Sequence, residues 1–196
     1  YHLYPQRVET LYDQYTRQAY LLREVKAAQS IMIDETSTRK GHNYITTFWD
    51  ANSKQLLDIR TGRSSQVIQK YVEELEQEGQ RPKETIEQIV SDMSPAFIKG
   101  ITEQLPQAQI TFDRFHIVQL IYRHADKILR KGGSYADEVR QQIKALDRVW
   151  EQQNSEQAAA YLCFWIDRME ELFDLPKITK SIRRYFDGIV QFATNR

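Results

Sequence analysis

The chain has 196 residues, of which 41% are hydrophobic, including 11 Tyr, 8 Phe and 3 Trp. That is enough apolar mass to pack a core, which excludes a disordered chain, and enough length for one domain or one domain carrying an insertion. Lys and Arg number 27 and Asp and Glu number 27, so the formal charge is zero; a free-standing nucleic-acid binder is usually basic, so contact with nucleic acid would rest on a local patch.

Residues 6–28 predict a helix, because Val8, Leu11, Tyr12, Tyr15, Ala19 and Leu22 recur at three- and four-residue steps. Ile31-Met32-Ile33-Asp34 reads as a short apolar strand closed by a carboxylate. The polar tract 36–43 carries Arg39, Lys40, Gly41 and His42 and suits a hairpin tip. Tyr44 to Trp49 predicts a second strand and Gln55 to Arg60 a third, completing an antiparallel meander. Helical spacing returns over 64–78, with Gly79 as its stop. Ile86 to Val90 predicts a buried strand ending at Ser91-Asp92. Pro95 opens a helix with Phe97, Ile98 and Ile101 on one face, and Pro106 breaks it. Gln109 to Phe112 is a fifth strand closed by Asp113, and Phe115 to Leu129 is helical.

From Tyr135 onward three helical stripes follow: Val139 to Trp150, Ala158 to Phe173 and Ile178 to Phe192, with Pro176 between the last two. Trp150 and Trp165 are expected in the core of this region. The single cysteine, Cys163, excludes a disulfide framework and a cysteine-rich zinc site, and its apolar setting reads as a buried inert thiol. No apolar run approaches the ~20 residues of a bilayer span, and no secretory leader is visible, so a cytoplasmic, reducing setting without membrane contact is expected. The chain starts at Tyr1, as a fragment or the ordered part of a longer protein would.

Three antiparallel strands followed by two strand–helix units is the order of a ribonuclease-H-like mixed sheet. The expected fold is therefore α/β: a five-stranded mixed sheet with flanking helices, then an all-helical C-terminal insertion region. The expected organisation is a helical lead-in over 1–29, a catalytic core over 30–130 and the helical region over 131–196.

Three of the expected strands end in an aspartate: Asp34, Asp92 and Asp113. Carboxylates projected from strand ends into one crevice repel each other unless a cation neutralises them. Hard oxygen ligands suit Mg2+ or Mn2+, and a pair of such ions about 3.5 to 4 Å apart can promote phosphodiester displacement. Aspartates are equally common at strand ends as turn formers and helix caps. On pattern alone the two readings stand level.

Four segments carry a resemblance. They are Ile33-Asp34-Glu35-Thr36-Ser37, Lys40-Gly41-His42-Asn43-Tyr44-Ile45-Thr46, Ser91-Asp92-Met93-Ser94-Pro95-Ala96-Phe97-Ile98-Lys99-Gly100 and Phe112-Asp113-Arg114-Phe115-His116-Ile117-Val118. In this order they resemble bacterial insertion-sequence transposases of the ISL-three type, a DDE family with a ribonuclease-H-like core. The likeness runs from Ile31 to Leu129 and resumes over Ile182 to Val190. It implies that Asp34 and Asp92 are the first two catalytic acids and metal ligands. It also implies that two Mg2+ or Mn2+ ions act in the complete site, that the partner is DNA, both transposon ends and target, and that the protein works as a homo-oligomer. The third acid of the family is a glutamate in a Thr-Asn-Gly-x-x-Glu-x-x-Asn type motif. This sequence closes on Thr194-Asn195-Arg196, with Arg where Gly is expected, so no residue here is assigned to that role and the chain alone is expected to be inactive. Arg130 to Ser134 bridges a stretch that is longer in the family.

Secondary candidates follow. Glu35 would point away from Asp34 if the strand continued, which favours a structural role. Lys40 and His42 at the hairpin tip, and Arg114 and His116 in the fourth motif, are candidate DNA contacts; a solvated basic turn and a hydrogen-bonded core histidine are the structural readings beside them. Asp113 either caps the following helix or extends the acidic site. Arg183 and Arg184 fit a charged helix surface or a DNA contact. The function implied is metal-dependent cleavage of transposon ends and strand transfer into target DNA. Two alternatives stand beside it: a ribonuclease-H-like nuclease without strand transfer, and a non-catalytic transposase-derived domain that binds DNA or protein.

Overall fold

The first strand, β1, runs Ser30–Ser37, and its alternation sends Ile31 and Ile33 to one face and Met32 and Asp34 to the other. This computed structural model describes residues 28–37, 44–77 and 83–192. The helix expected over 6–28 lies, apart from Ala28, outside the described residues, as do Lys40, His42, Gly79 and Thr194 to Arg196. β2 (Tyr44–Asp50) and β3 (Leu56–Thr61) follow, then β4 (Gln88–Ser91) and β5 (Gln109–Phe112). The sheet order is β3-β2-β1-β4-β5. β1, β2 and β3 pair antiparallel, whereas β4 joins β1, and β5 joins β4, in parallel. This is the ribonuclease-H-like mixed sheet that the element order predicts.

One face of the sheet is covered by two helices. α1 (Ser65–Gln77) contributes Val67, Ile68, Tyr71, Val72 and Leu75, and α2 (Pro95–Gln104) contributes Phe97 and Ile101. They close over Ile31, Ile33, Phe48, Leu57 and Ile89, all buried. Phe48 stacks on Tyr71 with ring centroids 4.0 Å apart. Burying each such side chain stabilises the fold by roughly 1.5–3 kcal/mol.

A second core lies in the helical half. α3 (Arg114–Lys131) leads through Gly132 and Gly133 into α4 (Ser134–Ala145), a 3-10 segment (Leu146–Glu151) and α5 (Ser155–Leu172). Gly132 at φ 70° and ψ −167° and Gly133 at φ 86° and ψ 174° occupy a region essentially closed to other residues, which is how so short a link reverses the chain. α6 (Pro176–Arg184) and α7 (Phe186–Gln191) complete the array. Trp150 and Trp165 are buried as expected, and the Trp165 indole N–H donates to Gln142 O at 2.7 Å. α7 joins this core to the sheet: Gly188 lies so close to the Phe112 ring of β5 that a side chain there would collide with it.

Four expectations are corrected. β1 does not end at Asp34 but continues to Ser37, because hairpin pairing with β2 holds the polar residues as far as Ser37 opposite Tyr44. The strand expected over Ile86 to Val90 is shifted to Gln88–Ser91, with Ile86 buried just before it. The last helical stripe is two helices, broken at Tyr185. Cys163 is exposed, not buried. On α5 it falls between the inward positions Leu162, Trp165 and Ile166, and an apolar neighbourhood in sequence wraps around a helix.

Candidate active site at the carboxyl edge of the sheet

Because β1, β4 and β5 run parallel, their C-terminal ends share one edge of the sheet, where β2 begins and β3 ends. The register pairs Ile33 with Ser91 and Ser91 with Phe112. Asp34, Asp92 and Asp113 are the next residues along each chain. The register thus brings Asp34 and Asp92 to adjacent positions at this edge, Asp34 on the face that carries Met32 and Asp92 one residue past the end of β4. Asp34 is interior to its strand, but it lies just past the end of the parallel ladder, which opens the edge beside it.

Asp92 is half-buried and accepts the Ser94 N–H at 2.9 Å, a turn that leads into Pro95 and α2. Burial pushes its carboxyl above the ordinary aspartate value; the Ser94 N–H and the nearby His116 oppose this, and the charges of Asp34 and Asp113 add to it. Burial, more than the neighbouring charges, thus disfavours the ionised form of Asp92.

His116, in the first turn of α3, has Nε2 3.9 Å from Asp34 Oδ1 and a side chain 29% exposed. It is not a core histidine; it faces the carboxylates. Asp113 caps α3, accepting the Phe115 N–H at 2.7 Å. Arg114 turns toward the helical half, 3.1 Å from Asp147 and over the Trp150 ring at 5.2 Å. Arg183 pairs with Glu170 at 3.0 Å, far along the chain from the edge.

Glu35 belongs, by alternation, to the opposite face of β1. Its side chain meets Arg63 at 3.6 Å, and the Arg63 guanidinium lies over the Tyr44 ring at 3.9 Å. Burial and then the charge of Asp92 raise the Glu35 carboxyl above its usual value, while Arg63 lowers it. Sequence reasoning missed Arg63 as the partner of Glu35 and Tyr44. Tyr44 stands in the second of the four motifs, but Arg63 stands in none; the available signal was Gly62, just after the third strand and before an arginine.

On the same face a cleft of about 520 Å3, lined by Met32, Val90, Asp113, Arg114, Lys54 and Phe192, runs from Asp113 toward Ser30 and Gln88 at the other ends of the strands; Asp34 and Asp92 do not line it. Among the described residues, no three His, Cys, Asp or Glu side chains are grouped closely enough to hold a metal ion by themselves. Asp34 and Asp92 nevertheless fit a hard divalent cation: both are carboxylates, they flank one another, and the Asp92 charge is disfavoured as it stands. Among the described residues, no helix is long and apolar enough to cross a membrane.

Comparison with known proteins bears on this arrangement. The family model for transposases of the ISL3 type, described as "Transposase", matches residues 31–144, from the first residues of β1 to the end of α4. The transposase for insertion sequence element IS1001 of Bordetella parapertussis is 33% identical over 88 residues. That match covers 45% of this chain and 21% of the relative, so the chain spans only about a fifth of the relative's length there. Among solved structures, the HTLV-2 integrase catalytic core domain, described as a dimeric form in complex with magnesium, superimposes with a TM-score of 0.33. It is 16% identical, over 56% of this chain and 77% of that one. The ribonuclease-H-like character of the sheet stands on its own strand order and register. With the matched segment covering more than half of its length, the chain belongs to the ISL3-type family of DDE transposases.

Proposed function

We propose that this chain is the catalytic core of a DNA transposase that cleaves transposon ends and joins them to target DNA, with Asp34 and Asp92 as its first two metal-binding acids. The observation that carries the reading is the register of β1 on β4. Ile33 faces Ser91, and the next residue along the chain from each is an aspartate. A rigid scaffold of this kind holds two charges together that would otherwise separate. A divalent cation bound there would supply charge neutralisation and Lewis-acid activation for phosphodiester displacement. The residues around it have separate tasks. The Ser94 N–H fixes the Asp92 rotamer, the His116 ring stands 3.9 Å from Asp34, and Asp113 sets the start of α3 so that His116 points at the edge. No residue of this chain is assigned to the third acid. Action in the cytoplasm, and pairing of two copies so that both ends are processed together, belong to the same reading.

The test uses the intact protein, DNA carrying the element's own ends, and Mg2+. The wild type should give both cleaved ends and joined product. Asp92→Ala should lose both, falling to background with its melting temperature retained. Cleavage without joining would move the assignment to a nuclease, and undiminished activity of Asp92→Ala would leave the carboxylate pair without a catalytic role.

A further inference from the structure

The carboxyl edge gathers Asp34, Glu35, Asp92 and Asp113, a surface that repels a polyanion. If DNA is brought to these acids, a cation on the same edge must receive its backbone. Among the described residues near the edge, Arg114 is turned onto Asp147 and Trp150, and the His116 ring lies against Asp34. Arg63 is placed differently. It follows β3 at the same edge, and its side chain remains 50% exposed.

Its position is built in. Gly62 adopts φ 103°, a left-handed conformation that turns the chain sharply after Thr61. The turn is pinned to β2 twice: the Gly62 N–H donates to Tyr44 O at 2.7 Å, and the buried Thr46 hydroxyl donates to Gly62 O at 2.7 Å. The guanidinium of Arg63 is thereby laid over the Tyr44 ring at 3.9 Å. Stacking occupies the face of the guanidinium and leaves its N–H edges free to donate. Glu35, 3.6 Å from Nη1, draws on one corner of the guanidinium and orients it, and the side chain as a whole stays half exposed.

We propose that Arg63, held on Tyr44, is a phosphate-binding platform that receives the DNA backbone at the sheet edge that also carries Asp34 and Asp92. This rests on the transposase reading above and adds to it the residue that meets the phosphate. The platform positions the strand and takes no part in the chemistry. Arg63 supplies charge and a planar fork; Tyr44 holds that fork in one orientation and so reduces the entropy lost on binding.

Fluorescence anisotropy of the intact protein with a labelled duplex oligonucleotide, titrated at several salt concentrations, tests the proposal. Arg63→Gln should weaken binding several-fold and reduce the slope of log affinity against log salt by about 1, the share of one phosphate contact. Arg63→Lys should recover the slope but not the full affinity, and Tyr44→Leu should keep the slope while weakening binding. In the wild type, saturating duplex should protect Arg63 from phenylglyoxal, read by peptide mass spectrometry. An Arg63→Gln protein with wild-type affinity and slope, or an Arg63 equally reactive with and without DNA, overturns the platform. A wild type that binds no duplex at any salt concentration overturns the transposase reading itself, so the two failures are distinct.

Discussion

The helical half and the carboxyl edge of the sheet handle charge in opposite ways. On the helices, acids and bases meet as solvent-facing pairs: Arg130 with Asp126 at 2.9 Å, Arg168 with Glu171 at 2.8 Å, Arg183 with Glu170 at 3.0 Å. Helical spacing brings two of these pairs together three or four residues apart, and each contributes about 0–1 kcal/mol. Even on β3, Arg60 lies 2.6 Å from both Asp58 and Glu74. At the edge, by contrast, Asp34 and Asp92 are placed by strand register, with the His116 ring 3.9 Å from Asp34. The pairs on the helices and on β3 are matched at close range, and among the described residues neither aspartate has an Arg or Lys partner.

The comparison can be tested at the joint between the regions. Gly188 packs α7 on Phe112, so Gly188→Ala should overpack that contact and lower stability by about 1–3 kcal/mol in urea unfolding. A neutral result would mean that the helical half is not seated on β5. Next in size, Asp113→Ala should cost about 1 kcal/mol through loss of the α3 cap, with Asp113→Asn close to wild type in both stability and end cleavage. If Asp113→Asn melts normally but cannot cleave, Asp113 is a third member of the acidic site instead of a cap.

The smallest effect concerns Asp92. Burial raises its folded-state carboxyl above the unfolded value, so its contribution favours the fold while the group is protonated and is lost as pH rises through the folded value. In chelator, Asp92→Asn, which can still accept the Ser94 N–H, should therefore melt a few degrees above wild type at neutral pH. The difference should vanish below the ordinary carboxylate range near pH 4. A wild type at least as stable as Asp92→Asn at neutral pH would mean that burial does not disfavour the Asp92 charge.

Much of this was legible in the residues. Short apolar and β-branched runs located all five strands, the fourth with shifted bounds, and Pro95 and Pro176 marked helix boundaries. Asp113 was open between two roles, and the Phe115 N–H in its carboxylate identifies it as a cap. The shape of the final stripe was not legible: Ile178, Ile182, Ile189 and Val190 keep an apolar face across Tyr185, where the backbone nevertheless breaks. Nor was the side on which His116 falls, since its apolar neighbours Ile117 and Ile121 turn inward while it faces the acids.

By itself the sequence determined the order of strands and helices, because side-chain period and turn chemistry are local properties; Asp34 and Asp92 stood out as acids only through a resemblance. Tertiary structure decided what those residues meet. That Asp34 stands inside β1 yet at the end of a parallel ladder, and that Arg63 reaches Tyr44 and Glu35, follow from pairing between strands far apart in the chain. Register is a property of two strands together, and a slip of one residue would turn every one of these side chains to the other face.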